Sequence, residues 1–161
     1  MNRIIPRPER DKETINRLLQ IWESSVRATH LFLSENDIVN IRPEVNQGLA
    51  SIEHLFCYSD NNEILQGFIG INEQKIEMLF IDANARGQGT GKKLLQYAFE
   101  HFQAKYVDVN EQNIQGVGFH THMGFRVTGR SEHDEMGRPF PLLHLQRGSV
   151  QEIPNSTFAS L

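Results

Sequence analysis

Cysteine is almost absent: Cys57 is the only one in 161 residues. Without a second thiol no internal disulfide can form, and a reducing cytoplasm is the expected compartment. Its apolar setting, "HLFCYS", fits a buried, inert strand cysteine better than a nucleophile. Long apolar runs are missing too. No stretch of about 18 apolar residues occurs, so no membrane-spanning helix and no membrane partner are expected. The opening "MNRIIPRPERDKET" lacks the apolar core of a secretory signal. Positive charge is not in excess. Sixteen Lys and Arg face twenty Asp and Glu, a net charge of -4, which argues against a nucleic-acid partner. Repeats and low-complexity tracts are absent as well.

What remains is an ordinary globular composition, 39% hydrophobic and 22% charged. The length suits one domain with a sizeable core, read as residues 1–148, followed by a polar, loosely held tail over 149–161. The sparse positive charge has a focus: Arg86, Lys92 and Lys93 flank a glycine-rich loop. That placement suits a small anionic ligand rather than a polymer backbone.

Residues 3–7 read as a first strand, ended by Pro8. Over 11–30, Ile15, Leu18, Leu19, Trp22 and Val26 share one helical face, with Asp11 as N-cap. A second helix starts after Ser34, and Pro43 is expected to break or kink it. The segments "EHLFCYSD", "EILQGFIGIN" and "KIEMLFID" are separated by turn signals and read as an antiparallel meander. Only Glu77 interrupts the last of them, so that strand is expected to be buried on both faces. A helix carrying Leu94, Leu95, Ala98, Phe99 and Phe102 follows the loop, and "KYVDVN" is the next strand. Strand, crossover helix and strand make a βαβ unit with parallel strands. A weaker helix ends at Gly124, and a hairpin whose long turn contains Gly137 closes the pattern.

The loop "ARGQGTGKK" opens a helix, where unpaired N–H groups and the helix dipole favour an anion. Aligned to a nucleotide P-loop, Arg86 stands where the first glycine belongs and Lys93 where a hydroxyl should hold magnesium, which disfavours a kinase. Glycines at 87, 89 and 91 do not fit the dinucleotide fingerprint either. The pattern that does match is R-x-x-G-x-G, Arg86 to Gly91.

On that motif, and on the order of elements around it, the chain resembles the GNAT superfamily of acyl-CoA-dependent N-acetyltransferases. The motif is similar to the superfamily's [QR]-x-x-G-x-[GA] pyrophosphate loop. Asn113 to Phe125, "NIQGVGFHTHMGF", resembles its second signature, N-x-x-A-x-x-F-Y-x-x-x-G-F. The resemblance spans about residues 2–147, and "GRSEHDEMGRPFPLLHL" and "ATHLFLSENDI" resemble the bacterial YjaB-type subgroup. It implies a mixed α/β (α+β) fold of about seven strands flanked by helices, with a splayed central parallel pair. It also implies a pantetheine arm pairing with the backbone of Leu79 and Ile81, and a pyrophosphate in a cradle. Arg86 and Gly87 head that cradle, and the amides of Gln88, Gly89, Thr90, Gly91 and Lys92 form it. Asn113 and Phe119 contact the cofactor in the same reading. Acetyl-CoA is the implied cosubstrate, and no metal is implied.

The chemistry sets its own demands. A lysine-type amine, with a pKa of about 10.4, must lose a proton before it attacks a thioester. The developing oxyanion needs an N–H, which the resemblance places near Met78 and Leu79. The departing thiolate is eased by an acid, commonly the tyrosine of the second signature. Here His120 holds that position, and it either donates the proton or lines the cofactor pocket. Glu77, the lone charge of its strand, is the candidate base, with His144 a second candidate that also faces the acceptor. His120 and His122 lie about 200° apart around a helix and cannot chelate a metal together.

The resemblance places acceptor selectivity in the first helices and the closing hairpin. Trp22, Arg27, Thr29, His30 and Phe32 fall in the first region, and Glu132, His133 and Asp134 in the second. Trp22 also fits a core position, and His30 a helix C-terminus. The expected activity is acetyl transfer to a primary amine, small or peptidic, through a ternary complex. The other class in view is a CoA-binding sensor without catalysis. Monomer and homodimer both stay open.

Overall fold

The computed structural model describes residues 2–148, so the expected tail at 149–161 lies outside the described residues. The chain divides into two compact units, Met1–Ala104 and Lys105–Leu161.

The first unit contains β1 (Arg3–Pro6), α1 (Lys12–Thr29), α2 (Glu35–Ser51), β2 (His54–Ser59), β3 (Leu65–Asn72), β4 (Lys75–Ile81), a 3-10 turn (Ala83–Ala85) and α3 (Thr90–Phe102). Its strands run in the order β1-β2-β3-β4, each antiparallel to the next. The Asp11 carboxylate accepts from the Thr14 amide at 2.7 Å and starts α1. From there Ile15, Leu18, Leu19, Trp22 and Val26 enter the core with Ile38, Leu49, Leu55, Cys57 and Phe68. Each such side chain contributes about 1.5–3 kcal/mol of burial free energy. The other side of β2 meets α3, where Phe56 packs on Tyr97 at 4.9 Å and on Phe102 at 5.5 Å. Cys57 is fully buried, and burial pushes its thiol up to about 11, so it is inert.

Two expectations need correction here. The helix α2 runs through Pro43 from Glu35 to Ser51 without a break. Proline removes one N–H, and the carbonyl it orphans belongs to Val39, a residue 63% exposed, where water can replace the bond. A capping box between Ser34 and Asp37 secures the helix start. The second correction concerns β4. The strand buried on both faces is β3, with β2 close to it, whereas along β4 only Ile76 is fully buried. Gly70 pairs with Met78 but Ile71 with Ile76, so Glu77 is the extra residue of a β-bulge. The bulge turns Glu77 outward, exposed and 3.9 Å from the Lys75 ammonium.

The second unit contains β5 (Tyr106–Asn110), α4 (Ile114–His122), β6 (Phe125–Ser131) and β7 (Leu142–Arg147). Its strand order is β5-β7-β6, antiparallel throughout. Val107, Val109, Phe125 and Leu145 form its buried apolar face. The turn between β6 and β7 is organised by Asp134, whose carboxylate accepts from the amides of Met136 at 2.9 Å and Arg138 at 2.8 Å.

Candidate functional site

The loop between β4 and α3 is held at its root by Asp82. This carboxylate accepts from Arg17 at 3.0 Å, from the Ser24 hydroxyl at 3.2 Å and from the Asn84 amide at 3.0 Å. Burial pushes its pKa up, but these hydrogen bonds outweigh burial and hold it below the usual value. The Ser24 hydroxyl in turn accepts from the Ala83 amide at 3.0 Å. The loop therefore starts from a point fixed to α1.

Beyond that root, Arg86 to Gly89 are exposed. Gly87 and Gly89 have φ of +79° and +82°, and Gly91 lies inside α3. A Cβ on Gly87 or Gly89 would meet nothing within 4 Å, so the glycines leave open ground above the start of α3. The helices α1, α2 and α4 have their first turns capped by the side chains of Asp11, Ser34 and Asn113, whereas Gly89 brings α3 no side-chain cap. The first-turn amides of Thr90, Gly91 and Lys92 thus stay available to an outside acceptor. Lys92 is exposed beside them, while Lys93 is turned toward Tyr58, its ammonium 3.3 Å from the phenol oxygen. Open ground, uncapped amides and a positive helix end are features that suit an anion. Leu79 and Ile81, pairing with Ile69 and Gly67 of β3, lead into this loop half-exposed.

In the second unit, the Asn113 side chain caps α4 by accepting from the Gly116 amide at 3.0 Å. His120 is 8% exposed, edge-on to the rings of Phe119 and Phe125. Its Nδ1 lies 2.8 Å from the Gly116 carbonyl. A carbonyl only accepts, so Nδ1 carries the proton and Nε2 the lone pair. Nε2 is buried with no partner among the described residues. Burial lowers the His120 pKa, and the Gly116 hydrogen bond only partly offsets it, so the ring is neutral.

Of the residues expected to face an acceptor, Trp22 belongs to the core instead, at 3% exposure, because it continues the apolar stripe of α1. Arg27 is spanned by Glu23 at 3.0 Å and Glu35 at 2.9 Å. Thr29, His30 and Phe32 do come together. The Thr29 hydroxyl donates to the Ser25 carbonyl at 2.8 Å and accepts from His30 Nδ1 at 2.7 Å, and the His30 ring lies 5.4 Å from that of Phe32. Burial lowers the His30 pKa to about 4.

His144 has partners that the sequence reading missed. Its Nδ1 lies 2.7 Å from Asp108 Oδ1, and its Nε2 lies 2.6 Å from Ser131 Oγ. The alternation of "YVDVN" places Asp108 on the polar face of β5, a signal that was available. Ser131 had none, because its facing depends on a bulge in β6.

Comparison with known proteins now has a geometry to meet. The acetyltransferase (GNAT) domain matches residues 35–141. A peptidyl-lysine N-acetyltransferase, YjaB of Salmonella typhimurium, is 42% identical over 129 residues, 80% of this chain and 88% of that protein. The solution structure of apo YjaB from Escherichia coli superposes with a TM-score of 0.82 at 36% identity, covering 91% of this chain and 97% of that one. The PaiA N-acetyltransferase of Thermoplasma acidophilum, solved in complex with coenzyme A, shares the fold at 20% identity, with a TM-score of 0.67 over 91% of this chain and 99% of its own. Among the described residues, seven strands and four helices in this order form the mixed α/β, GNAT-like fold. Matched by the domain over residues 35–141 and 42% identical to one such enzyme across 80% of its length, the chain belongs to the GNAT acetyltransferase family.

Proposed function

We propose that this acetyl-CoA-dependent N-acetyltransferase acts on the side-chain amine of a lysine in a peptide or protein, by direct attack in a ternary complex. The observation that carries the reading is the uncapped start of α3 beneath Gly87 and Gly89. The choice of lysine rests on the relative that is named a peptidyl-lysine N-acetyltransferase. Arg86 to Lys92 hold the pyrophosphate of the thioester cosubstrate, whose bound acetyl group is the electrophile. Leu79 and Ile81 offer strand backbone to its arm, and the bulge at Glu77 re-aims the N–H groups beside Met78.

His120, neutral and with its lone pair on Nε2, is better suited to accept a hydrogen bond in the cofactor pocket than to protonate a thiolate. Asn113 and Phe119 are read as contacts of the same cosubstrate. Glu77 keeps a role as candidate base, although its carboxylate is exposed near Lys75. Thr29, His30 and Phe32 form the acceptor-facing cluster. Cytoplasmic operation as a monomer or homodimer, without nucleic acid or membrane, completes the reading.

The test is mass spectrometry of lysine peptides and small amines incubated with acetyl-CoA. Acetyl-lysine at rates far above the uncatalysed control is expected. CoA binding without any acetylated product would leave the sensor reading instead. His120→Ala separates its two roles. A loss confined to acetyl-CoA KM marks a pocket residue, and a loss in kcat that follows pH marks an acid.

A further inference from the structure

We infer that Ser131, His144 and Asp108 form a nucleophile, base and carboxylate triad that cleaves small acyl esters, a second activity contained in the second unit and separate from acetyl transfer. The three side chains are joined in a row. Ser131 Oγ lies 2.6 Å from His144 Nε2, and His144 Nδ1 lies 2.7 Å from Asp108 Oδ1. Strand pairing brings them together. Asp108 on β5 and His144 on β7 are direct cross-strand partners, so their side chains share a face. On β6, Val127 pairs with Leu145 but Gly129 pairs with His144. Residues 144 and 145 point to opposite faces, so the bulge at Thr128 brings Gly129 and Ser131 onto the His144 face. Ser131, opposite Leu142, then sits diagonal to the ring. Gly129 leaves room for it: a Cβ there would stand 3.4 Å from His144 Cδ2.

The hydrogen bonds assign the protons. An ionised carboxylate only accepts, so His144 Nδ1 donates to Asp108 and Nε2 holds the lone pair. Nε2 then accepts from the Ser131 hydroxyl. A serine oxygen is activated in this way by an adjacent base that a third group orients. The row is open to a small molecule. The His144 side chain is 38% exposed, that of Asp108 is 22% exposed, and Ser131 is half-buried at the head of the turn between β6 and β7.

Ser131 Oγ attacks the carbonyl carbon of the ester, and its proton passes to His144 Nε2. Asp108 holds the imidazolium. The bond from that carbon to the alcohol oxygen breaks, and the oxygen takes the proton from Nε2 as the alcohol leaves. Water then adds to the acyl-serine by the same route, the carboxylic acid departs, and Ser131 regains its proton. The sum is ester plus water giving acid plus alcohol. The tetrahedral oxyanion calls for N–H donors. The amides of Glu132 and His133, next after the serine, make no hydrogen bond among the described residues. Charge selects the ester. Arg130 is paired with Glu111 at 2.8 and 3.0 Å, and Arg138 with Asp134 at 3.1 Å. With those pairs neutralised, Glu132 and Glu135 leave the turn acidic, which favours esters of neutral or cationic alcohols over anionic ones. Ser131 and His144 are the catalytic residues of this reaction, and Asp108 is a positioning residue that fixes the tautomer.

The test treats the full chain, without CoA, with p-nitrophenyl acetate and with a fluorophosphonate whose P–F bond a serine oxygen displaces. Peptide mapping should place the phosphonyl group on Ser131. Release of p-nitrophenol should fall about 10²-fold or more in Ser131→Ala, and phosphonylation by as much in His144→Gln and Asp108→Asn, with thermal melts as the check on folding. Ser131→Cys keeps a nucleophile in place. Cys57 is fully buried, so iodoacetamide reads residue 131 alone. Alkylation should be about tenfold faster than when His144→Gln is added. Nitrogen NMR of histidine-labelled wild type should show His144 protonated at Nδ1. In Asp108→Asn the side-chain amide donates to Nδ1 and the tautomer reverses, which loss of packing alone does not produce. The acetyl-lysine assay above reads the other activity, so the two can fail independently. A wild-type Ser131 that takes no phosphonyl group, an undiminished rate in His144→Gln, or His144 protonated at Nε2 in the wild type each overturns the triad.

Discussion

Replacing Gly89 by alanine separates two roles of the loop, its backbone conformation and its cradle. Gly89 sits at φ +82°, and nothing lies within 4 Å of where a Cβ would be. The fold therefore meets only the conformational cost, about 1–2 kcal/mol for a non-glycine residue in the left-handed region. At roughly 2–4 °C per kcal/mol for a chain of this size, the ligand-free melting temperature should fall by about 2–8 °C. The ligand meets more. CoA at 100 times its dissociation constant stabilises the wild type by about 2.7 kcal/mol. A Cβ standing in the cradle removes one or more charge-assisted hydrogen bonds from amide to phosphate, each worth about 1.5–3 kcal/mol. The dissociation constant then rises roughly tenfold to a hundredfold. At the same CoA concentration the stabilisation should drop to between about 1.4 and 0.4 kcal/mol. Thermal melts of both proteins, with and without CoA, read all four states. A Gly89→Ala protein that melts lower but keeps the full CoA-induced rise would refute the placement of the pyrophosphate on this loop.

Three further outcomes follow from the packing and the ionisation. Trp22→Ala should cost about 3–5 kcal/mol in urea unfolding, as expected of a core residue, whereas Trp22→Phe should leave the acceptor KM unchanged. Asp82→Ala leaves Arg17 only its bonds to the Leu65 carbonyl and frees the root of the loop, so a loss of about 1–3 kcal/mol is expected, with CoA stabilisation reduced as well. The His30 pKa is lowered in the folded state to about 4, so below about pH 6.5 the unfolded chain takes up the proton first. Stability is then fully present above about pH 6.5 and declines as pH falls toward 4, by at most about 3 kcal/mol from this group. The difference between wild type and His30→Asn in urea melts at pH 7.5 and pH 5 isolates that contribution.

Features carried by contiguous residues were legible in the sequence. The stripe of α1 with its Asp11 cap, the Ser34 start of α2, the turns around the meander and the glycine loop all rest on residues within one or two turns of each other. Features that depend on register were not. The sequence around Glu77 reads as a buried strand because its neighbours are apolar, yet the outward turn of Glu77 comes from a bulge set by the pairing of β3 with β4. Pro43 signalled a break that solvent at Val39 makes unnecessary, and exposure is not written in the helix's own sequence. Ser131 lies 13 residues from His144 in the chain, and which face of β6 it takes is set by the bulge between Val127 and Gly129.

The histidines show why residue type alone could not rank the candidates. In each of His30, His120 and His144 the partner of Nδ1 decides what the ring can do. For His120 it is a carbonyl, for His30 a hydroxyl already donating elsewhere, and for His144 a carboxylate. All three arrangements place the lone pair on Nε2. Only the partner of His144 is a carboxylate, on the neighbouring strand β5. The first two rings are also buried enough that their pKa values are lowered, so protonation works against the fold itself. His144 alone of the three meets a hydrogen-bonding side chain at each nitrogen among the described residues, Asp108 at Nδ1 and Ser131 at Nε2.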